Sequence, residues 1–159
     1  MDELIDPNVL GEVFRRFLFA SLAGAILGLP AQTKNHVAGI RTHALVSLGA
    51  SIFCITAIGV VGRDSSEITR ILQGIASGVG FIGAAAVLHG DRTFSGINTA
   101  ASIWIAAAVG CATSLVDRPA AALVGAGLAT AINWTFMELE ERLGRPAGRS
   151  VRPPGDGPG

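Results

Sequence analysis

The stretch that decides the fold is residues 71–88, ILQGIASGVGFIGAAAVL, which contains no ionisable side chain. Four further windows share this property: 17–33, 44–62, 93–116 and 119–137. A helix of roughly 17–25 apolar residues crosses the hydrocarbon core of a bilayer, whereas a soluble helix of that length needs a polar face. The sequence therefore predicts an all-α membrane protein whose five transmembrane helices lie in the lipid bilayer.

The charge content agrees with this prediction and limits the partners. Only 15% of the residues are charged, against about 25% in an ordinary soluble domain. The 12 Lys and Arg residues balance the 12 Asp and Glu residues. Because the basic residues stand singly or as one pair, they form no surface that would neutralise a nucleic-acid backbone. Nucleic acid is therefore not expected as a partner.

The residues that usually carry chemistry are sparse. The sequence has no nucleophile motif, phosphate-binding loop or acid pair in a suitable context, so we expect neither an enzyme nor a cofactor. His36, His43 and His89 lack metal-ligand spacing, and no metal site is predicted. Cys54 and Cys111 lie in the middle of different apolar windows. They are expected to be small buried side chains rather than a disulfide.

The domain organisation is simple. Residues 1–143 are predicted to form one membrane domain, and 144–159, rich in Pro, Gly and Arg, a disordered tail. Arg15 and Arg16 before the first window resemble the start of a signal peptide. Leu29 fits a cleavage site poorly, so we expect a retained first helix. Seven of the 12 Lys and Arg residues fall on the side of the carboxyl tail, which predicts that the amino terminus lies outside and the carboxyl terminus in the cytoplasm.

Glycines recur at helical spacing within the apolar windows. Gly24 and Gly28, and again Gly74 and Gly78, stand one helical turn apart, and small residues at this spacing let helices approach closely in lipid. Gly80 and Gly83 extend the second series. We predict that these six glycines serve helix packing. The alternative is a flexible or broken third helix that lines a cavity.

The polar residues at the helix ends are the functional candidates. They are Arg41, Thr42, Glu67, Arg70, Asp91, Asn98 and Thr99. On the predicted topology, the members that flank the second and fourth helices converge on the cytoplasmic side with His43 and Arg92. The alternative is that the arginines merely anchor helix ends at the membrane surface. The second to fifth spans contain no carboxylate, Lys or Arg at depth, which argues against an ion-coupled carrier.

Four blocks in these regions resemble the MgtC/SapB family of bacterial inner-membrane proteins. The blocks are AGIRTHALV at 38–46, Arg70-Ile71, SGVGFIGA at 77–84 and GINTAASIW at 96–104. The resemblance covers about residues 15–135 and implies five helices with a cytoplasmic carboxyl end. Pro30 and Ala31 stand where the family usually has a Glu-Arg pair. Some members carry a further cytoplasmic domain; this chain is expected to be the short form.

The resemblance also implies a function. Members of the family are associated with magnesium limitation, acid stress and survival of pathogens inside host cells. We therefore expect a non-enzymatic protein of the bacterial inner membrane, linked to magnesium homeostasis and virulence, that modulates a membrane partner such as the F-type ATP synthase. The alternative is a small-cation channel or transporter with the Gly-rich third helix along its path. The Gly-rich faces favour a homo-oligomer, most simply a dimer.

Overall fold

A computed structural model describes residues 7–33, 38–63, 66–89 and 94–143. Five α-helices follow one another: α1 Pro7–Thr33, α2 Ile40–Val61, α3 Glu67–His89, α4 Phe94–Leu115 and α5 Ala121–Arg142. All five are long and apolar enough to cross a membrane. Consecutive helices in contact run antiparallel, so α1, α3 and α5 end at the same end of the bundle. We call this the carboxyl-terminal end and the opposite one the amino-terminal end.

Helix α4 is the centre of the bundle. It packs against each of the other four helices, whereas α3 and α5 do not touch each other in the described part of the chain. Half of the α4 span is buried, but only 17% of the α3 span and 11% of the α5 span. The core therefore lies between α1, α2 and α4, and the two outer helices turn most of their surface to the surroundings.

The core helices approach closely because glycines remove side chains at the crossings. A methyl group on Gly24 would overlap the backbone of His43, and one on Gly28 would lie 2.5 Å from the Cα of Ile40. Gly110 of α4 meets the backbone of Ser47 in the same way. The α1–α2 and α2–α4 contacts are thus backbone-to-backbone crossings of the kind that small residues permit in lipid.

Helix α1 is longer than its charge-free window. It begins at Pro7, where a proline is favoured because the first amides of a helix have no partner. It also continues through Pro30 to Thr33. A proline cannot bond the carbonyl four residues before it, but Thr130 Oγ1 of α5 lies 3.2 Å from that carbonyl oxygen, on Ile26. The Thr130 hydroxyl has a single hydrogen and also lies 2.7 Å from the Ala126 carbonyl oxygen of its own helix, so it compensates for the proline in part.

Candidate functional site

The candidate residues at the helix ends fall into two groups. Arg41, Thr42, Asn98 and Thr99 lie at the carboxyl-terminal end of the bundle, whereas Glu67 and Arg70 begin α3 at the amino-terminal end. Asp91, with Arg92, lies outside the described residues. The described candidates therefore do not form one cluster.

The group at the amino-terminal end is a surface ion pair. Arg70 Nε lies 3.5 Å from Glu67 Oε2, with both side chains largely exposed. Exposed pairs of this kind contribute little to stability. Arg41 is likewise exposed and has no partner among the described residues. No contact within the described residues links Arg41 to the turn before α2.

That turn is held by His43 instead. The imidazole is fully buried; its Nδ1 lies 2.8 Å from the Gly39 carbonyl oxygen and its Nε2 lies 2.8 Å from Ser102 Oγ. A neutral ring with its proton on Nδ1 donates to Gly39 and accepts from the Ser102 hydroxyl. The single hydroxyl hydrogen of Ser102 is shared between Nε2 and the Thr99 carbonyl oxygen, which lies 2.9 Å from Ser102 Oγ. His43 thereby ties the start of α2 to the first turns of α4.

A pocket opens beside this contact, between α1, α4 and α5. It has a volume of about 360 Å³ and carries four polar side chains: Asn98 and Ser102 from α4, and Thr130 and Asn133 from α5. The rest of its wall is apolar. Both hydroxyls already bond within the protein. Neither amide has a partner in the part of the chain that the structure describes. We call this cavity at the carboxyl-terminal end the amide pocket, after Asn98 and Asn133, which line it together with Ser102 and Thr130.

A second polar cluster crosses the α2–α4 contact. Ser51 Oγ lies 2.8 Å from Ser114 Oγ, and Thr113 Oγ1 donates to Ser51 Oγ at 3.1 Å. All three side chains are fully buried. One turn along α2, the buried Ser47 hydroxyl has no partner among the described residues, and Gly110 packs directly on its backbone. Apart from the Ser47 hydroxyl, the described buried hydroxyls between α2 and α4 are hydrogen-bonded, and the two helices are tightly packed.

Arg16 has a structural role that the sequence does not indicate. Its guanidinium is buried and Nη1 donates to three carbonyl oxygens at the end of α4, those of Thr113, Ser114 and Val116, at 2.7, 2.9 and 3.0 Å. Arg63 donates to the Leu115 carbonyl at 2.8 Å. The last four carbonyls of a helix lack partners within it, so the two arginines act as a cap. Because their acceptors are backbone atoms, no pair of residue types in the sequence signals the contact.

The predicted packing glycines differ in what they meet. Gly24, Gly28 and Gly83 contact neighbouring helices, whereas Gly74, Gly78 and Gly80 have no heavy atom within 4 Å of a built methyl position among the described residues. Within one chain, the packing role predicted for the latter three is therefore not met, because α3 turns them away from α4.

Gly74 and Gly78 instead line an open groove between α2 and α3. It has a volume of about 690 Å³, and its described lining residues are uncharged and almost wholly apolar. We call it the α2–α3 groove. Phe53 and Ile82 stand on its two sides, and Gly49 adds a third glycine to its wall.

The described residues contain no group of three or more His, Cys, Asp or Glu side chains arranged to hold a metal. Cys54 and Cys111 are free and buried, and both belong to one buried apolar cluster.

Five apolar spans, four of them packed around α4, make this a multi-pass membrane protein. Residues 17–142 match the MgtC family, and the chain belongs to that family. It is 40% identical to Protein SrpB of Synechococcus elongatus over 107 residues, 60% of this chain and 59% of that protein. It is 39% identical to Protein MgtC of Brucella abortus, over 66% of this chain and 44% of that protein.

Protein MgtC of Salmonella typhimurium is also 39% identical, over 58% of this chain and 39% of that protein. The chain thus spans roughly half the length of the curated relatives it matches. No solved structure matches it.

Proposed function

We propose that the protein is a non-enzymatic modulator of another membrane protein in the bacterial inner membrane, with its amino terminus outside and its carboxyl terminus in the cytoplasm. We link this activity to magnesium homeostasis, stress adaptation and, in a pathogen, survival inside host cells. The observation that carries the proposal is the α2–α3 groove, an apolar surface at membrane depth that the chain leaves open.

The shape of the groove favours a transmembrane helix as its occupant. Its glycines remove side chains from α2 and α3, and small residues allow a second helix backbone to come close. Its described lining residues carry no charge, so an incoming apolar helix loses no solvated ion on binding. The exposed Phe81, at 80% of its surface, lies on α3 beyond the groove and offers further apolar contact.

The packed interior supports binding rather than transport. The α1–α2–α4 core closes on backbone contacts at Gly24 and Gly110, and the hydroxyls of Ser51, Thr113 and Ser114 bond to one another. A water-filled path needs space between such groups. This supports modulation of a partner over the alternative of a small-cation channel.

In the absence of a partner, we propose that the groove binds a second copy of the chain and gives a dimer. A heterologous helix would then compete with self-association for the same surface. Replacing Gly78 by leucine would block both self-association and partner binding, because the leucine side chain would occupy the space that a second helix needs.

The proposal is tested by reconstituting the chain with a purified F-type ATP synthase in liposomes and measuring ATP-driven acidification. The wild-type chain is expected to lower the pumping rate, and Gly78→Leu to restore it. Gly127→Leu is the matched control, because Gly127 is an exposed α5 glycine on which a methyl group would likewise have no described heavy atom within 4 Å. Inhibition that survives Gly78→Leu would refute the role of the groove. Ion flux in liposomes that contain this chain alone would favour the small-cation channel over the modulator.

A further inference from the structure

The amide pocket has a feature that the proposed modulator function does not use. Asn98 and Asn133 face one cavity from two different helices, and neither has a hydrogen-bond partner among the described residues. Each amide offers two donor hydrogens and an acceptor oxygen. Asn98 is exposed and Asn133 is half-buried, so both amides are accessible to a molecule that enters the pocket. The pocket therefore presents hydrogen-bonding capacity that an occupant would satisfy.

The charge of the pocket restricts that occupant. None of the described lining residues is ionisable. An ionic group in this pocket would lose its hydration without gaining a counter-charge. An uncharged group with oxygen acceptors has no such penalty and accepts hydrogen bonds directly from the amide N–H groups.

The walls restrict the occupant further. Leu27, Ile105, Ile132, Phe136 and Met137 line the remainder of the cavity. Ile132 and Phe136 are half or more exposed, so the apolar wall continues onto the outer surface of α5. A molecule that reaches the pocket sideways from the bilayer keeps its hydrocarbon part in apolar surroundings throughout.

We propose that the amide pocket binds an uncharged, carbonyl-bearing amphiphile from the bilayer. Asn98 and Asn133 donate to its carbonyl oxygens, and its hydrocarbon part runs along the outer face of α5. Two membrane components carry this chemistry: the ester region of a glycerophospholipid and the head of an isoprenoid quinone. Occupancy bridges α4 and α5 beside Ser102, whose hydroxyl already contacts His43.

The two tryptophans of the chain provide the assay. Trp134 is about half exposed and follows Asn133 directly, whereas Trp104 lies on the α3 side of α4. Trp104→Phe therefore leaves Trp134 as the only tryptophan reporter. The full chain with this change is placed in phosphatidylcholine nanodiscs and titrated with ubiquinone-1. Saturable quenching indicates a site, whereas collisional quenching rises without a plateau.

Three variants on this background test the assignment. Asn98→Leu and Asn133→Leu are each expected to raise the half-saturating ubiquinone-1 concentration about fivefold, which corresponds to the loss of one net hydrogen bond. Ala101→Phe fills the pocket without removing an amide and is expected to abolish saturation, which keeps the test valid if an asparagine variant fails to fold. Gln73→Leu, an exposed amide on α3 outside the pocket, is the matched control and should bind like the parent.

Native mass spectrometry of the detergent-purified chain distinguishes the two sources. Saturable quenching that the pocket variants lose identifies the quinone class. Absence of saturation, together with one retained phospholipid that the variants lose and Gln73→Leu keeps, identifies the ester class. Absence of both signals, or signals that Ala101→Phe leaves unchanged, would overturn the proposal.

Discussion

Replacing Arg16 by methionine should destabilise the bundle strongly. The change keeps most of the length of the side chain but removes the guanidinium. Three carbonyls at the end of α4 then lose their donor, and Glu12 loses an Nε contact of 2.8 Å. Arg16 is 8% exposed, so water replaces these bonds only in part.

The size of the effect follows from the number and type of these contacts. A hydrogen bond to a charged group contributes about 1.5–3 kcal/mol, and contacts that share one donor nitrogen do not add fully. Removing one partner of a buried charged network typically costs about 3–5 kcal/mol. We expect the lower half of that range, because Val116 at the end of α4 is partly exposed and its carbonyl gains water on substitution.

The neighbouring Arg15 provides the matched control. Its side chain is 54% exposed and pairs only with Glu12 among the described residues. Arg15→Met should therefore change stability by about 0–1 kcal/mol. Both variants are compared with the parent by denaturant titration in detergent micelles, with helix content followed by circular dichroism. Equal shifts for the two variants would refute the assignment of Arg16 as the cap of α4.

Three further results are expected. Gly110→Ala should prevent stable folding, because its methyl group would overlap the α2 backbone, whereas Gly127→Ala should be neutral or slightly stabilising by thermal unfolding. Thr130→Val should lower the free energy of unfolding by about 1 kcal/mol. This cost should largely vanish in a Pro30→Ala background, because the restored amide at position 30 bonds the Ile26 carbonyl. A double-mutant cycle without coupling would contradict this. Cys54 should stay unlabelled by a hydrophilic maleimide in intact vesicles, because it is 1% exposed in a packed core, and rapid labelling would contradict the dry interior.

The number of helices is readable from the sequence because each span is a gap between charges. The beginning of α1 is not, since Arg16 lies inside the helix and finds its partners 97 to 100 residues away. The continuation of α1 through Pro30 is not readable from the sequence either, because the contact that supports it also comes from a distant residue. Its compensation comes from Thr130, and nothing local to the proline indicates that contact.

The candidate site is only partly readable. Gly24 and Gly28 have the same spacing as Gly74 and Gly78, yet a methyl group on either of the first pair would overlap α2. A methyl group on either of the second pair would have no described heavy atom within 4 Å. Which glycines are covered depends on how the helices are arranged, and the spacing does not contain that arrangement. Polar type and position make Asn98 a candidate in the sequence, but that it lines one pocket with Asn133 depends on the α4–α5 geometry.

The most direct test is to identify by photo-crosslinking what α3 contacts in the membrane. A photo-crosslinking amino acid is placed at Gly78 in the α2–α3 groove and, as a control, at Gly127 on α5, and the chains are irradiated in native membranes under magnesium limitation. The account predicts protein adducts at position 78, identified by mass as a second copy or a subunit of another membrane protein, and none at position 127. Lipid adducts alone at position 78, or the same protein adducts at both positions, would contradict it.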